Sequence, residues 1–228
     1  MEQAILNFNK QFLWKPAIVN KERLFLRGST SKKGHEVEPL NNSHGFVVGG
    51  MGGSHLAAGL LAGIKPRLDI VIHRDYGLPV LKDAKNRLYI ASSYSGNTEE
   101  TIDFAKAALA KGHAVATISI GGKLLEFARE NNLPHIVIPD THVQPRSALG
   151  FSMLALVELV GNKAIVKELP ILADILSPNT LENKVKTIAN QLSGKLPIIY
   201  SSNKNSAVAY NWKIKFNETS KIPAFYNV

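Results

Sequence analysis

The chain has 228 residues, 45% hydrophobic and 20% charged, with 27 lysines and arginines against 18 aspartates and glutamates and no cysteine. That length suits one large domain or one and a part, and the composition suits a soluble globule with a substantial core. Disulfides and thiolate-held metals are excluded, and the net charge of +9 is scattered without a nucleic-acid reader motif, so no nucleic-acid partner is expected. Positive potential of this kind draws in small anions.

The N-terminus lacks a basic stretch followed by an apolar one, as a secretory leader would have. The longest apolar run, residues 56–64, is broken by glycines and too short to span a bilayer. A cytoplasmic protein with no membrane partner is the expectation.

Residues 1–40 read as a helical lead-in and a polar connector, with Gly28 to Gly34 a loop by composition. A short apolar strand, 45–48, then runs into Gly49-Gly50-Met51-Gly52-Gly53-Ser54, and Leu56, Ala57, Leu60 and Leu61 follow at helical spacing. This glycine-rich turn fails the dinucleotide fingerprint, because His55 stands where the third glycine belongs. It fails the P-loop pattern for want of a lysine. What remains is a turn whose backbone a ligand can approach, with a hydroxyl at a helix start.

Further strands are expected at 68–72, 87–91, 113–118 and 134–138, with helices between them. The alternation predicts a three-layer α-β-α sandwich around a five-stranded parallel sheet, whose ligands sit at the carboxyl ends of the strands. At that edge lies Ser92-Ser93-Tyr94-Ser95-Gly96-Asn97-Thr98-Glu99-Glu100: hydroxyls, a glycine and a helix start, which suit a phosphate monoester. Asn97 and Glu100 are spaced as a capping box, which would start the helix at Asn97 or Thr98.

Past the fifth strand, Arg146 precedes a helix whose expected cap is Ser147. Residues 152–194 read as helical with breaks near Pro170 and Pro178. A strand at 196–200, a hydroxyl-rich turn at 201–206 and a helix at 207–216 repeat the opening pattern. A second, similar domain therefore begins here, one strand and one helix in. The expected division is a lead-in at 1–40, a first domain at 41–162, a helical connection at 163–194 and an incomplete second domain at 195–228.

Ser93-Tyr94-Ser95-Gly96-Asn97-Thr98-Glu99-Glu100-Thr101 resembles the phosphosugar-binding signature of sugar isomerase (SIS) domains. With Gly50-Met51-Gly52-Gly53-Ser54, Gln144-Pro145-Arg146-Ser147-Ala148-Leu149-Gly150 and Asn217-Glu218-Thr219-Ser220-Lys221, in that order, the chain is similar to the bifunctional phosphoglucose/phosphomannose isomerases over about residues 40–228.

The resemblance implies two SIS domains, a homodimer, a sugar phosphate as substrate, and neither cofactor nor metal. It assigns Ser93, Ser95 and Thr98 to the phosphate and Gly52, Gly53 and Ser54 to the sugar, with Arg146 near the reacting carbons and Glu218 as catalytic base. Glucose 6-phosphate, and with it mannose 6-phosphate, would interconvert with fructose 6-phosphate through an enediolate. Partial burial would bring the Glu218 carboxyl toward neutrality for that task.

The family continues with a Pro-Glu-x-x-His-Asn-Glu segment, whose histidine opens the sugar ring, and later with a site lysine. The present sequence reaches Val228 before either. His55 and His142 lie closest to the inferred ligand edge and read as cap or surface residues. The alternatives are a phosphosugar-binding SIS module without turnover and, more weakly, a nucleotide-binding α/β protein.

Overall fold

The computed structural model describes residues 2–25 and 45–228. The expected loop from Gly28 to Gly34 lies outside the described residues, as do His35 and His44. Strands β1 (Phe46–Gly49), β2 (Ile70–His73), β3 (Leu88–Ser92), β4 (Ala114–Ser119) and β5 (His135–Val137) form one sheet in the order β2-β1-β3-β4-β5, every neighbouring pair parallel.

Side chains on a strand alternate faces, and here both faces are covered. Val47, Tyr89 and Val115 stand in register on one face, while Val48, Ile90 and Ala116 stand in register on the other. The first face packs on α3 (Glu99–Ala110) and α4 (Gly122–Glu130). The second packs on α2 (Leu56–Ile64) and α5 (Leu149–Val160). Helix α3 buries Thr101, Phe104, Ala105 and Ala108, one stripe at helical spacing. The sandwich is thus a three-layer α-β-α fold with a five-stranded parallel sheet.

The N-terminal segment, starting with α1 (Glu2–Leu6), is tied in more tightly than its sequence suggests. Phe12 packs with Leu154 and Ala173, and Val19 exchanges both backbone hydrogen bonds with His135 at 2.9 and 3.1 Å. The Gln11 amide oxygen accepts from the Gly150 and Phe151 N–H groups at 3.0 and 3.3 Å, while its Nε2 donates to the Ser147 carbonyl at 2.7 Å. Helix α5 is therefore capped by a residue 139 positions away, not by Ser147, which lies in a 3-10 turn before it.

The helical region is broken near Pro170 and Pro178, as expected, and once more at Gly161. Gly161, at φ 72°, ends α5, and α6 (Lys163–Glu168) and α7 (Leu172–Ile175) follow. Pro178 opens α8 (Pro178–Leu192), at the first-turn position where a missing N–H costs nothing.

After α8, β6 (Ile198–Tyr200), α9 (Ser206–Lys215) and β7 (Phe225–Asn227) form a strand–helix–strand unit with parallel β6 and β7. The second strand was not expected from sequence. Helix α9 lies along α2: the buried His55 ring packs on Tyr210, with centroids 5.4 Å apart, and Ala207 approaches Gly59.

Two stability predictions follow from this packing. Phe104 is fully buried and packs against Tyr89 and His73. Phe104→Ala should cost about 3–5 kcal/mol in urea denaturation. Burial, and then the charge of Arg74, hold the His55 imidazole at a pKa of about 4 against 6.5 unfolded. Protonation therefore favours the unfolded chain, so stability is complete above pH 6.5 and declines as pH falls toward 4. The loss reaches at most about 3 kcal/mol. Urea midpoints across pH 4–7 should show that component in the wild type and not in His55→Phe.

Candidate active site

Two turns meet at the carboxyl edge of β1 and β3. Beyond β3, the Ser93 hydroxyl lies 2.9 Å from the Thr98 hydroxyl and accepts from the Gly96 N–H at 3.1 Å. The Ser95 hydroxyl accepts from the Asn97 N–H at 3.2 Å. Gly96, at φ 72°, faces the Gly121 carbonyl so closely that no side chain fits.

The expected capping box does not form. Helix α3 starts at Glu99 with Thr98 as its N-cap and no side-chain cap bond. The Thr98 hydroxyl is turned to Ser93 instead, and Asn97 accepts from the Lys123 N–H at 3.2 Å. The first turn of α3 is thus left uncapped by its own N-cap side chain, beside two hydroxyls, which is the arrangement of an anion cradle.

The glycine turn after β1 is joined to this cradle. Ser54 Oγ accepts from the Tyr94 N–H at 3.0 Å, and the Ser92 hydroxyl donates to the Ser54 carbonyl at 3.1 Å. Gly52 adopts φ 53°. A Cβ on Gly53 would stand 2.8 Å from the Arg146 backbone nitrogen, so only glycine lets the two turns touch. Gly52, Gly53, Ser54, Ser93, Thr98 and the Arg146 turn therefore share one edge of the sheet. Ser95 is exposed at the tip of the same turn.

Arg146 is 8% exposed. It donates from Nε to the Thr219 hydroxyl at 3.0 Å and from Nη1 to Glu218 Oε2 at 3.4 Å. Its carbonyl accepts from Lys215 Nζ. Burial, and then the neighbouring Arg146, push the Lys215 ammonium below its ordinary pKa, against the pull of Glu218.

The expected helix at 207–216 ends at Lys215, and Phe216–Ser220 is a π-helical turn closed by Lys221 at φ 57°. That wider turn carries Glu218 and Thr219 to the guanidinium, as such insertions often do at functional sites. The Glu218 side chain keeps 41% exposure, so the described residues supply a charge partner for it but not the burial expected from sequence.

None of the described histidines joins this pair. His142 is exposed beside Asp140, His135 bonds the Leu133 carbonyl, and His55 is buried against Tyr210 rather than serving as a surface residue or side-chain cap. The wedging of Lys215 under the Arg146 turn went unread in the sequence, where its only signal is proximity to Glu218. Among the described residues no cluster of carboxylates and histidines fits a metal ion.

Residues 181–228 match the family model of the bacterial phospho-glucose isomerase C-terminal SIS domain. The chain is 40% identical over 199 residues to a bifunctional phosphoglucose/phosphomannose isomerase of Caldicellulosiruptor bescii, covering 80% of this chain and 58% of that protein. It is 35% identical over 185 residues to the one of Thermoplasma acidophilum, covering 80% and 57%. A D-glucosamine-6-phosphate 4-epimerase of Sulfolobus acidocaldarius is 32% identical over 185 residues, covering 78% and 58%. The chain thus spans a little under three fifths of the length of these relatives.

Among solved structures, the C-terminal domain of glucosamine-fructose-6-phosphate aminotransferase from Francisella tularensis superposes with a TM-score of 0.62 at 15% identity. The match covers 99% of this chain and 66% of that one, and it shows a common fold. By fold, motif and sequence, the chain is similar to the sugar isomerase (SIS) domain proteins, and among them to the bifunctional phosphoglucose/phosphomannose isomerases.

Proposed function

We propose that this chain carries the phosphate-holding and proton-transfer groups of a phosphohexose isomerase, which interconverts glucose 6-phosphate, and with it mannose 6-phosphate, with fructose 6-phosphate. The observation that carries the reading is the Arg146–Glu218 pair, 3.4 Å apart and next to the joined hydroxyl turns. In this scheme Ser93, Ser95 and Thr98 hold the phosphate, and Gly52, Gly53 and Ser54 border the sugar. The Glu218 carboxylate takes the proton from C2 and returns it to C1. The Arg146 guanidinium stabilises the enediolate oxygen that carries charge between those steps. The chain is divided for these tasks into a first SIS domain at 41–162, a connection at 163–194 and second-domain residues at 195–228 that bring in Glu218. A homodimer in the cytoplasm belongs to the same proposal.

A second reading is a phosphosugar-binding module without turnover. It is favoured by the 41% exposure of the Glu218 side chain, which leaves that carboxylate without the burial expected of a general base. Calorimetric binding of glucose 6-phosphate with no fructose 6-phosphate formed would select it.

Glu218→Gln keeps the size and neutralises the base. It should lower kcat for fructose 6-phosphate formation about 10²–10⁴-fold, with KM changed far less. Unchanged turnover would overturn the assignment. Ser54→Ala removes the acceptor of the Tyr94 N–H and should destabilise the chain by about 1–3 kcal/mol in thermal or urea denaturation. It should also raise KM for the sugar phosphate more than it lowers kcat.

A further inference from the structure

A cleft of about 500 Å³ opens between α2 and α9. None of the residues assigned above to phosphate, sugar or proton transfer lines it. Its size is that of a small-molecule site. The walls are divided by chemistry. Leu56 and Ile72 give an apolar side and Tyr210 an aromatic one, while Arg74, Lys204 and Ser206 bring donors. No aspartate or glutamate lines the cleft.

The electrostatics of this cleft are one-sided. Among the described residues neither Arg74 nor Lys204 is held in an ion pair, and Arg74 lies over the Tyr210 ring, 5.7 Å from its centre. Two cations near an apolar and aromatic wall favour an anion attached to a flat apolar body, through charge-assisted hydrogen bonds at one end and ring contact at the other. His55 lines the cleft at 4% exposure with its ring packed on Tyr210, so a ligand seated along that wall is sensed at the imidazole.

We propose that the cleft between α2 and α9 is a second binding site, for a small phosphorylated molecule with a flat apolar part. The phosphate lies against Arg74, Lys204 and Ser206, and the apolar part lies along Tyr210 and Ile72, over His55. Such a ligand touches both helices that frame the candidate active site. Helix α2 follows directly on Ser54 and His55, and α9 leads into the turn that carries Glu218.

Phenyl phosphate is the probe, read by NMR at the His55 ring, whose signal is assigned by its loss in His55→Phe. The signal should move saturably with phenyl phosphate. In the double variant Arg74→Gln with Lys204→Gln, both at exposed positions, affinity should fall about tenfold or more. Ser93→Ala, which disturbs the phosphate turn of the other site, should leave the His55 titration in place. The proposal is overturned if the His55 signal does not move, if the double variant binds as tightly as the wild type, or if Ser93→Ala abolishes the shift. The readout is binding at His55 and not turnover, so its failure is distinguishable from failure of the isomerase reading.

Discussion

The Tyr94 N–H donates to the Ser54 hydroxyl across the carboxyl edge of the sheet, and the geometry of the candidate site depends on that bond. It joins the turn after β1 to the turn after β3, and those strands are parallel neighbours in register from Phe46 and Leu88. A parallel pair delivers both of its following turns to the same edge, so the hydroxyls of Ser54, Ser93 and Thr98 come to one place without any long excursion of the chain. The Ser92 hydroxyl closes the same junction from the other side by donating to the Ser54 carbonyl. That junction is built from neutral hydroxyls and a helix start, an arrangement suited to an anion.

Charge enters from the opposite direction. Arg146 is brought in by the turn after β5, and its buried guanidinium is shared between Thr219 and Glu218. Lys215 anchors the backbone of that same turn. Two cations and one carboxylate thus occupy a small volume, which favours an anionic species between them. A buried guanidinium with donors to spare can donate to a further anionic oxygen. Arg74 and Lys204 of the α2–α9 cleft, in no ion pair among the described residues, add a second positively biased region.

Local pattern accounts for much of what can be read from residues alone. Apolar strands such as 87–91, whose alternate residues enter opposite cores, and the helical stripe of α3 come from periodicity set by backbone geometry. The glycine and serine turns are legible because positive φ and close approach admit few residue types. Caps were read less well. Asn97 with Glu100 and Ser147 both have the right spacing, yet Asn97 bonds to Lys123 and the end of α5 is served by Gln11. A cap needs only an oxygen in the right place, and the nearest in sequence competes with any that the fold brings there.

By itself, then, the sequence determined the alternation of strands and helices, the parallel sheet and the hydroxyl-bearing turns at its edge, because each is written in spacings of a few residues. Only the tertiary structure decided which distant groups meet. Arg146 and Glu218 are 72 positions apart, and their encounter rests on α9 lying along α2 and on a π-helical turn with no evident local signature. The cleft between those helices was equally invisible, since the space between two packed elements belongs to neither of them.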